Sequence, residues 1–435
     1  MAVSDGRGGA SVMADGGVTG WIAVLTLFTL NMSGIGVTKG FGVLLLTLQD
    51  QLASATWILG WIAAMAIATS GISALFSGIL KRRFGVGVVV TVCVTKIGVG
   101  LIGGSFATTT LQLALFYVLA GLGIGVSNVL AKEAVGRTFN ENYATAFGIA
   151  KSGTFVGLLV MPPLTQFFLD TYGWRGTLLL LGGLCFNTVA PGAFLATSPQ
   201  AALHVSEEAG YRRLSDQTGP ISSMPRTNFG HFCCTSREIL LKDFSLELLI
   251  DARFWDLTVV KSSTKFAYGM WVIYFVSAAQ SNGFTATEAG WFVSFGGIGG
   301  LLAVIAQGPL NDRGVLSSWS LTTTTMVVCS ASYCASPLLT SNWAMMTSTL
   351  LIGFCFGVVS VQVDVLIRQT FGVELMVGAF GWEKLLSGMF NFMLGFLPGL
   401  FYDILGSYVA GFMVVSVVQI LPVTLLLHLW YSGKK

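Results

Sequence analysis

Gly308-Pro309-Leu310-Asn311-Asp312-Arg313-Gly314 decides the fold, because the chain carries a second version of it in Gly78-Ile79-Leu80-Lys81-Arg82-Arg83-Phe84-Gly85. Working outward from each loop, the later one lies between the eighth and ninth of twelve long apolar stretches, the earlier one between the second and third. Six stretches precede a polar segment at residues 198–253 and six follow it. A loop repeated at the same place in each half is the mark of a duplicated six-helix unit. In such bundles the substrate site lies between the halves, where polar side chains are costly and therefore informative.

Composition agrees with a membrane bundle. Hydrophobic residues make up 54% of the 435, charged residues only 10%, against about 25% charged in a soluble domain, and mean hydropathy is +0.76. The stretches fall near 18–46, 53–80, 85–106, 110–135, 144–169, 175–197, 254–281, 287–312, 317–338, 343–371, 376–403 and 407–432. Each is long enough for a helix to cross roughly 30 Å of hydrocarbon. No strand-like alternation occurs, which argues against a β-barrel. The expected class is an all-α membrane protein of twelve transmembrane helices in two six-helix halves. Residues 1–17 form an N-terminal tail, 18–197 and 254–432 the two bundles, 198–253 a linker loop and 433–435 a short tail.

Lysine and arginine set the orientation. Lys81, Arg82, Arg83, Arg137, Arg212, Arg213, Arg226, Arg237, Lys242, Arg253, Arg313, Lys434 and Lys435 all fall on one side, and Arg175 alone lies in a connector on the other. The positive-inside rule then makes both termini and the linker cytoplasmic. The net charge of +3 reflects this topology and gives no reason to expect nucleic-acid binding. Asp5 and Asp15, ahead of a full-length span, argue against a cleaved signal peptide. Cys93, Cys185, Cys329, Cys334 and Cys355 read as small packing residues, and Cys233-Cys234 as cytoplasmic thiols open to acylation. The sequon at Asn31 lies inside a span and should be unused. The linker, with Pro199, Pro220 and Pro225 and no apolar period, reads as partly disordered. His204, His231 and His428 have no metal or hydrolase spacing, so neither an enzyme nor a cofactor is expected.

Glycines four apart, at Gly36/Gly40, Gly121/Gly125, Gly153/Gly157, Gly296/Gly300 and Gly353/Gly357, suit close helix crossings in lipid. The loop residues Gly308, Leu310, Asp312 and Arg313 resemble the major facilitator superfamily signature, with Arg82 standing where the first copy usually has an acid. A more specific resemblance covers nearly the whole chain, to monocarboxylate transporters of the solute carrier 16 type. It rests on Asp15-Gly16-Gly17 with Gly20-Trp21, on Gly136, Phe139, Ala146, Gly148, Ala150, Gly153 and Gly157 at the fifth-helix spacing, on Tyr172-Gly173-Trp174-Arg175-Gly176 with Leu181-Gly182-Gly183, and on Leu248–Phe254 leading into span 7. The resemblance implies transport of a small organic anion at the plasma membrane, proton coupling, and a single-span immunoglobulin-type chaperone subunit as partner; Asp312, Arg313, Asp364, Glu383 and Lys384 are the candidates for coupling or gating.

Charges kept inside the membrane cost about 2.5–3.5 kcal/mol each and normally face water, a partner or a substrate. Lys39 leads this set: in the resembling family a lysine here handles substrate and proton, and an ammonium in the cavity would attract a carboxylate. Lys151 or Arg368 is a second candidate cation for the substrate, with Lys151 otherwise a lysine reaching back to the headgroups. Lys96 reads as peripheral, and Lys261 and Lys265 as an ordinary basic interface at the start of span 7. Asp364 and Arg368, four apart, either neutralise one another along one helix face or leave Asp364 free to take a proton or pair with Lys39. Glu383 and Lys384, neighbours about 100° apart, cannot face the same way, so at least one needs another helix as partner. Gln362, Trp271, Tyr274 and Phe356 could complete a wall of the site.

Two departures stand against the resemblance. Proton-coupled members carry an Asp and an Arg four apart in span 8, and alignment through Gly308 puts Gly300 and Val304 there. Glu141, Asn142 and Tyr143 replace the basic cluster that opens the fifth-helix signature. Three readings follow: transport of an organic anion with or without protons, transport of a neutral, zwitterionic or aromatic substrate, and a non-transporting sensor or scaffold working through the linker.

Overall fold

The computed structural model describes residues 16–52, 56–197, 244–314, 317–394 and 408–432. The tail before Gly16, Cys233-Cys234, linker residues 198–243, residues 395–407 of the last two spans and 433–435 lie outside the described residues. Every element among those described is helical: α1 (Gly17–Leu52), α2 (Thr56–Leu75), α3 (Ser77–Phe84), α4 (Val86–Ser105), α5 (Thr110–Thr138), α6 (Tyr143–Phe186), α7 (Val189–Thr197), α8 (Ala252–Ser281), α9 (Ala286–Asp312), α10 (Ser318–Ala335), α11 (Asn342–Phe371), α12 (Met376–Leu394) and α13 (Tyr408–Ser432), with short 3₁₀ turns at Leu246–Ile250 and Ser336–Leu338.

Among the described residues, seven helical segments are long and apolar enough to cross a membrane by length and composition alone. One of them, Tyr143–Leu195, runs 53 residues and turns at Gly173, where φ is +68°. Only glycine enters that region without a Cβ clash, so the Tyr172-Gly173-Trp174-Arg175-Gly176 motif divides α6 into two crossings. Arg175 steadies the turn, donating to the Ala107 carbonyl at 3.4 Å and lying 5.0 Å over the Trp174 ring. The remaining crossings are α2 continued by α3, α8, α10 and α12. Charges in α8 and α12, and the run Thr322–Thr325 in α10, dilute their apolar content. The total is the expected twelve.

The duplication is visible in the packing. In the first half Gly121 and Gly125 of α5 lie against the Ala66 and Ser70 carbonyls of α2. In the second half Gly353 and Gly357 of α11 lie against the Gly296 and Gly300 carbonyls of α9. A Cβ at any of these glycines would overlap backbone of the facing helix, so the crossings need their absence. Gly153 and Gly157 do the same for α6 on Phe28 and Met32 of α1. Asn31, in the sequon, is buried in this seam, donating to the Ala150 carbonyl at 3.1 Å and accepting from Asn128 at 3.1 Å. The halves meet where α2 lies on α12, α6 on α9 and α11, and α5 on α12.

The last residues of the linker, from Phe244 on, pack against the bundle. The Phe244 ring meets Phe76 edge-on at 5.8 Å, its carbonyl accepts from Trp382 Nε1 at 2.7 Å, and Leu248 is buried. Two apolar side chains of this polar segment, Phe244 and Leu248, and one backbone carbonyl make these contacts.

Candidate functional site

Charges on five helices fall at one depth. At 1.5 Å per residue from the end nearest the basic connectors, Lys132 lies roughly 9 Å inside Thr138, and Asp364 and Glu383 roughly 10 Å inside Phe371 and Met376. Lys151 and Lys384 lie roughly 12 Å inside Tyr143 and Met376, and Lys261 roughly 14 Å inside Ala252, with Lys265 one turn deeper. About two helical turns thus separate this layer from the basic end.

Asp364, with no exposed surface, is bonded by Lys132 Nζ at 3.2 Å and by Lys261 Nζ in direct contact. Glu383, 1% exposed, is met by Lys261 at 3.3 Å and Lys265 at 2.6 Å, and it accepts from Ser387 Oγ at 2.7 Å. The Ser387 hydroxyl pairs in turn with that of Ser262 at 2.9 Å. The Phe380 ring lies 4.5 Å from Lys132 Nζ and 5.4 Å from Lys261 Nζ, a cation–π floor under both ammoniums. Lys151 and Lys384 lie within electrostatic reach of Lys132, Lys265 and Glu383. Lys384 Nζ also donates to the Ile124 carbonyl of the other half at 3.3 Å. Five lysines therefore share a layer with two carboxylates, and a region this basic favours an anion.

Several expectations about these residues change. Asp364 and Arg368 share a face of α11 but do not pair: Arg368, one turn nearer the end, donates to the Phe139 carbonyl at 2.6 Å and Asn140 Oδ1 at 3.2 Å, and its guanidinium lies 4.2 Å over the Tyr143 ring. Nor does Asp364 reach Lys39. Gly16 is bonded to Thr138, which puts Lys39 roughly 33 Å along α1 from the basic end, far beyond the depth of Asp364. Lys39 is half-buried and has no hydrogen bond or ion pair among the described residues. Gln362, two residues and about 200° from Asp364 on α11, is fully buried with both amide atoms lacking a partner among the described residues. Trp271 is buried against Gly296, and Phe356 stacks on Tyr268 at 3.8 Å, so these aromatics pack the second half. Glu383 and Lys384 both need other helices, as their geometry requires. Lys96 is exposed.

Lys261 and Lys265 are the clearest correction. Their place near the start of α8 suggests an interface, yet Lys261 is 2% exposed and holds both carboxylates of the layer. Lys132 escapes the sequence reading altogether. The available signal was Lys132-Glu133, an ionic pair of neighbours inside a long apolar span. Glu133 is itself buried, bonded by Lys81 at 2.6 Å and Arg137 at 2.5 Å. The span 8 positions carry no charge into this layer. Val304 lies at the depth of the layer but is buried, its carbonyl against Gly148, and Gly300 faces the Phe155 ring. Helix packing occupies the place where α9 would otherwise supply charge, so α5, α6, α8 and α12 carry the cations.

The basic end is closed by contacts between the halves. Asp312 accepts from the backbone N–H groups of Ala144 at 3.0 Å and Thr145 at 2.7 Å. These are the second and third residues of α6, so Asp312 caps that helix from the opposite half, where a negative charge also suits the helix dipole. Arg368 on Phe139 adds a second strap, and Met376 sits against Gly136. Arg313 is exposed, and its side chain makes no hydrogen bond or ion pair among the described residues. The earlier loop behaves differently: its Lys81 turns into its own half, to Glu133.

The family model described as Major Facilitator Superfamily matches residues 21–399. Among curated proteins, the chain is 26% identical to rat (Rattus norvegicus) Monocarboxylate transporter 12 over 97% of its own length and 87% of the relative's. It is 24% identical to rat Monocarboxylate transporter 13 over 92% and 86%. Among solved structures, the proton:xylose symporter XylE bound to 6-bromo-6-deoxy-D-glucose superposes with a TM-score of 0.71 at 13% identity, covering 93% of this chain and 94% of that one.

Proposed function

The chain belongs to the major facilitator superfamily, and from that premise we propose that it carries a small organic anion of the monocarboxylate class by alternating access to a site between its halves. It is a multi-pass membrane transporter and not an enzyme. The observation that carries the anion reading is the cation surplus of the charged layer, Lys132, Lys151, Lys261, Lys265 and Lys384 against Asp364 and Glu383. Relatives named as monocarboxylate transporters support the substrate class.

In this reading Lys39, in the outer part of α1, draws the carboxylate inward, and Lys151 and Lys384 receive it from opposite halves by charge-assisted hydrogen bonds. Asp364 and Glu383 are the groups able to take a proton in a symport cycle. Asp312 and Arg368 hold the basic end shut, with Arg313 as a peripheral member of that gate. The proposed membrane is the plasma membrane with both termini cytoplasmic, and a single-span chaperone subunit belongs to the same proposal.

The test is uptake of labelled lactate and pyruvate into proteoliposomes, with and without an inward proton gradient. Saturable uptake, accelerated by the gradient, is expected. Uptake indifferent to the gradient removes symport and leaves facilitated diffusion. One observation favours a neutral, zwitterionic or aromatic substrate instead: the buried amide of Gln362 and the indole N–H of Trp271 lack partners among the described residues. Uptake of such a compound but of no carboxylate, unaffected by Lys39→Ala, would overturn the anion reading.

A further inference from the structure

Lys132 belongs to the first half and Asp364 to the second, so their ion pair spans the plane along which the halves must part. The two partners do not stand to lose equally. Asp364 is also bonded by Lys261 of its own half and keeps that partner when the halves separate. Lys132 has Asp364 as its one acid partner among the described residues, and the ammonium is 7% exposed between the Phe147 and Phe380 rings. Withdrawing Asp364 leaves a buried cation without its bonded counter-charge, which is strongly unfavourable. A substrate carboxylate presents the same two oxygens as Asp364. In the layer it would stand near Lys151 and Lys384, which lie within electrostatic reach of Lys132.

We propose, resting on the anion reading above, that Lys132 is the substrate-coupling residue: it ties the halves together through Asp364 when the transporter is empty, and a bound carboxylate displaces Asp364 from it. The loaded transporter then opens its basic end without exposing an uncompensated charge, while the empty one is held closed. Substrate and Asp364 compete for one ammonium. Removing the competitor must therefore tighten binding, and removing the ammonium must weaken it. A lysine that only braced the bundle would lower the yield of folded protein in either variant and leave KM where it was.

The experiment measures KM and maximal rate for labelled lactate or pyruvate in proteoliposomes of the full chain, with Lys132→Gln and Asp364→Asn beside the unmodified protein and each checked for a monodisperse gel-filtration peak. Lys132→Gln is expected to raise KM by roughly tenfold or more, the loss of a charge-assisted contact, and Lys132→Arg to restore most of it. Asp364→Asn is expected to lower KM by about threefold while slowing maximal rate, since the near-isosteric amide no longer competes for the ammonium. An unchanged or raised KM in Asp364→Asn overturns the proposal, as does a normal KM in Lys132→Gln. If Lys132→Gln does not fold, Asp364→Asn decides alone. Absence of carboxylate uptake by the unmodified protein is a separate result: it removes the anion reading, and this proposal falls with it.

Discussion

Glu383 accepts from two lysines and a serine while 1% exposed, so its charge is compensated only as long as α8 and α12 stay in register. Removing one member of a buried ionic group costs about 3–5 kcal/mol, whereas removing both is often neutral. Glu383→Gln is therefore expected to lower the melting temperature in detergent by the equivalent of about 3 kcal/mol, and adding Lys265→Met should recover at least half of that loss. Failure of the second substitution to recover anything would show that the two side chains are not coupled. At this scale the sequence exposed which residues were costly, since Lys39, Lys151, Asp364, Glu383 and Lys384 stand out in apolar spans. It did not expose their partners. Lys261 lies near a helix start and Lys132 beside Glu133, so both look like interfacial charges until neighbouring helices bring Asp364 against them.

Between elements, the two signature loops have diverged in what they hold. Asp312 caps α6 across the halves, while the first loop carries Arg82 in the acid's place and anchors Lys81 to Glu133 of its own half. The proposed gate would therefore depend on one copy of the repeat. Losing a helix cap costs about 1 kcal/mol, roughly a fivefold shift of the equilibrium between closed and open basic ends. Asp312→Ala should populate longer distances between spin labels placed on the two halves at that end, and an unchanged distribution would exclude a gating role. The glycine crossings answer to packing alone. Gly353→Ala forces α11 away from the Gly296 carbonyl and should destabilise the protein by about 1–3 kcal/mol, read as a fall in melting temperature. The spacing of these glycines was visible in the chain, but chance pairs look the same. Only the facing carbonyls distinguish a crossing from a coincidence.

As a whole, the molecule is closed at its basic end by Asp312, Arg368 and the Lys132–Asp364 pair. Alternating access then requires its charged layer to be reached from the other side. In sealed vesicles, a cysteine replacing Lys151 should react with a membrane-impermeant maleimide supplied opposite the basic connectors, and substrate should protect it. Reaction only from the connector side would contradict this arrangement. The sequence by itself determined the class, the twelve crossings and the duplication, because hydrophobic length, glycine spacing and connector charge are local properties that lipid reads one segment at a time. Only the tertiary structure brought the charged layer together. Lys132, Lys261, Asp364 and Glu383 lie on four helices far apart in the chain, and their charges acquire a meaning only when packing sets them at one depth and within bonding distance.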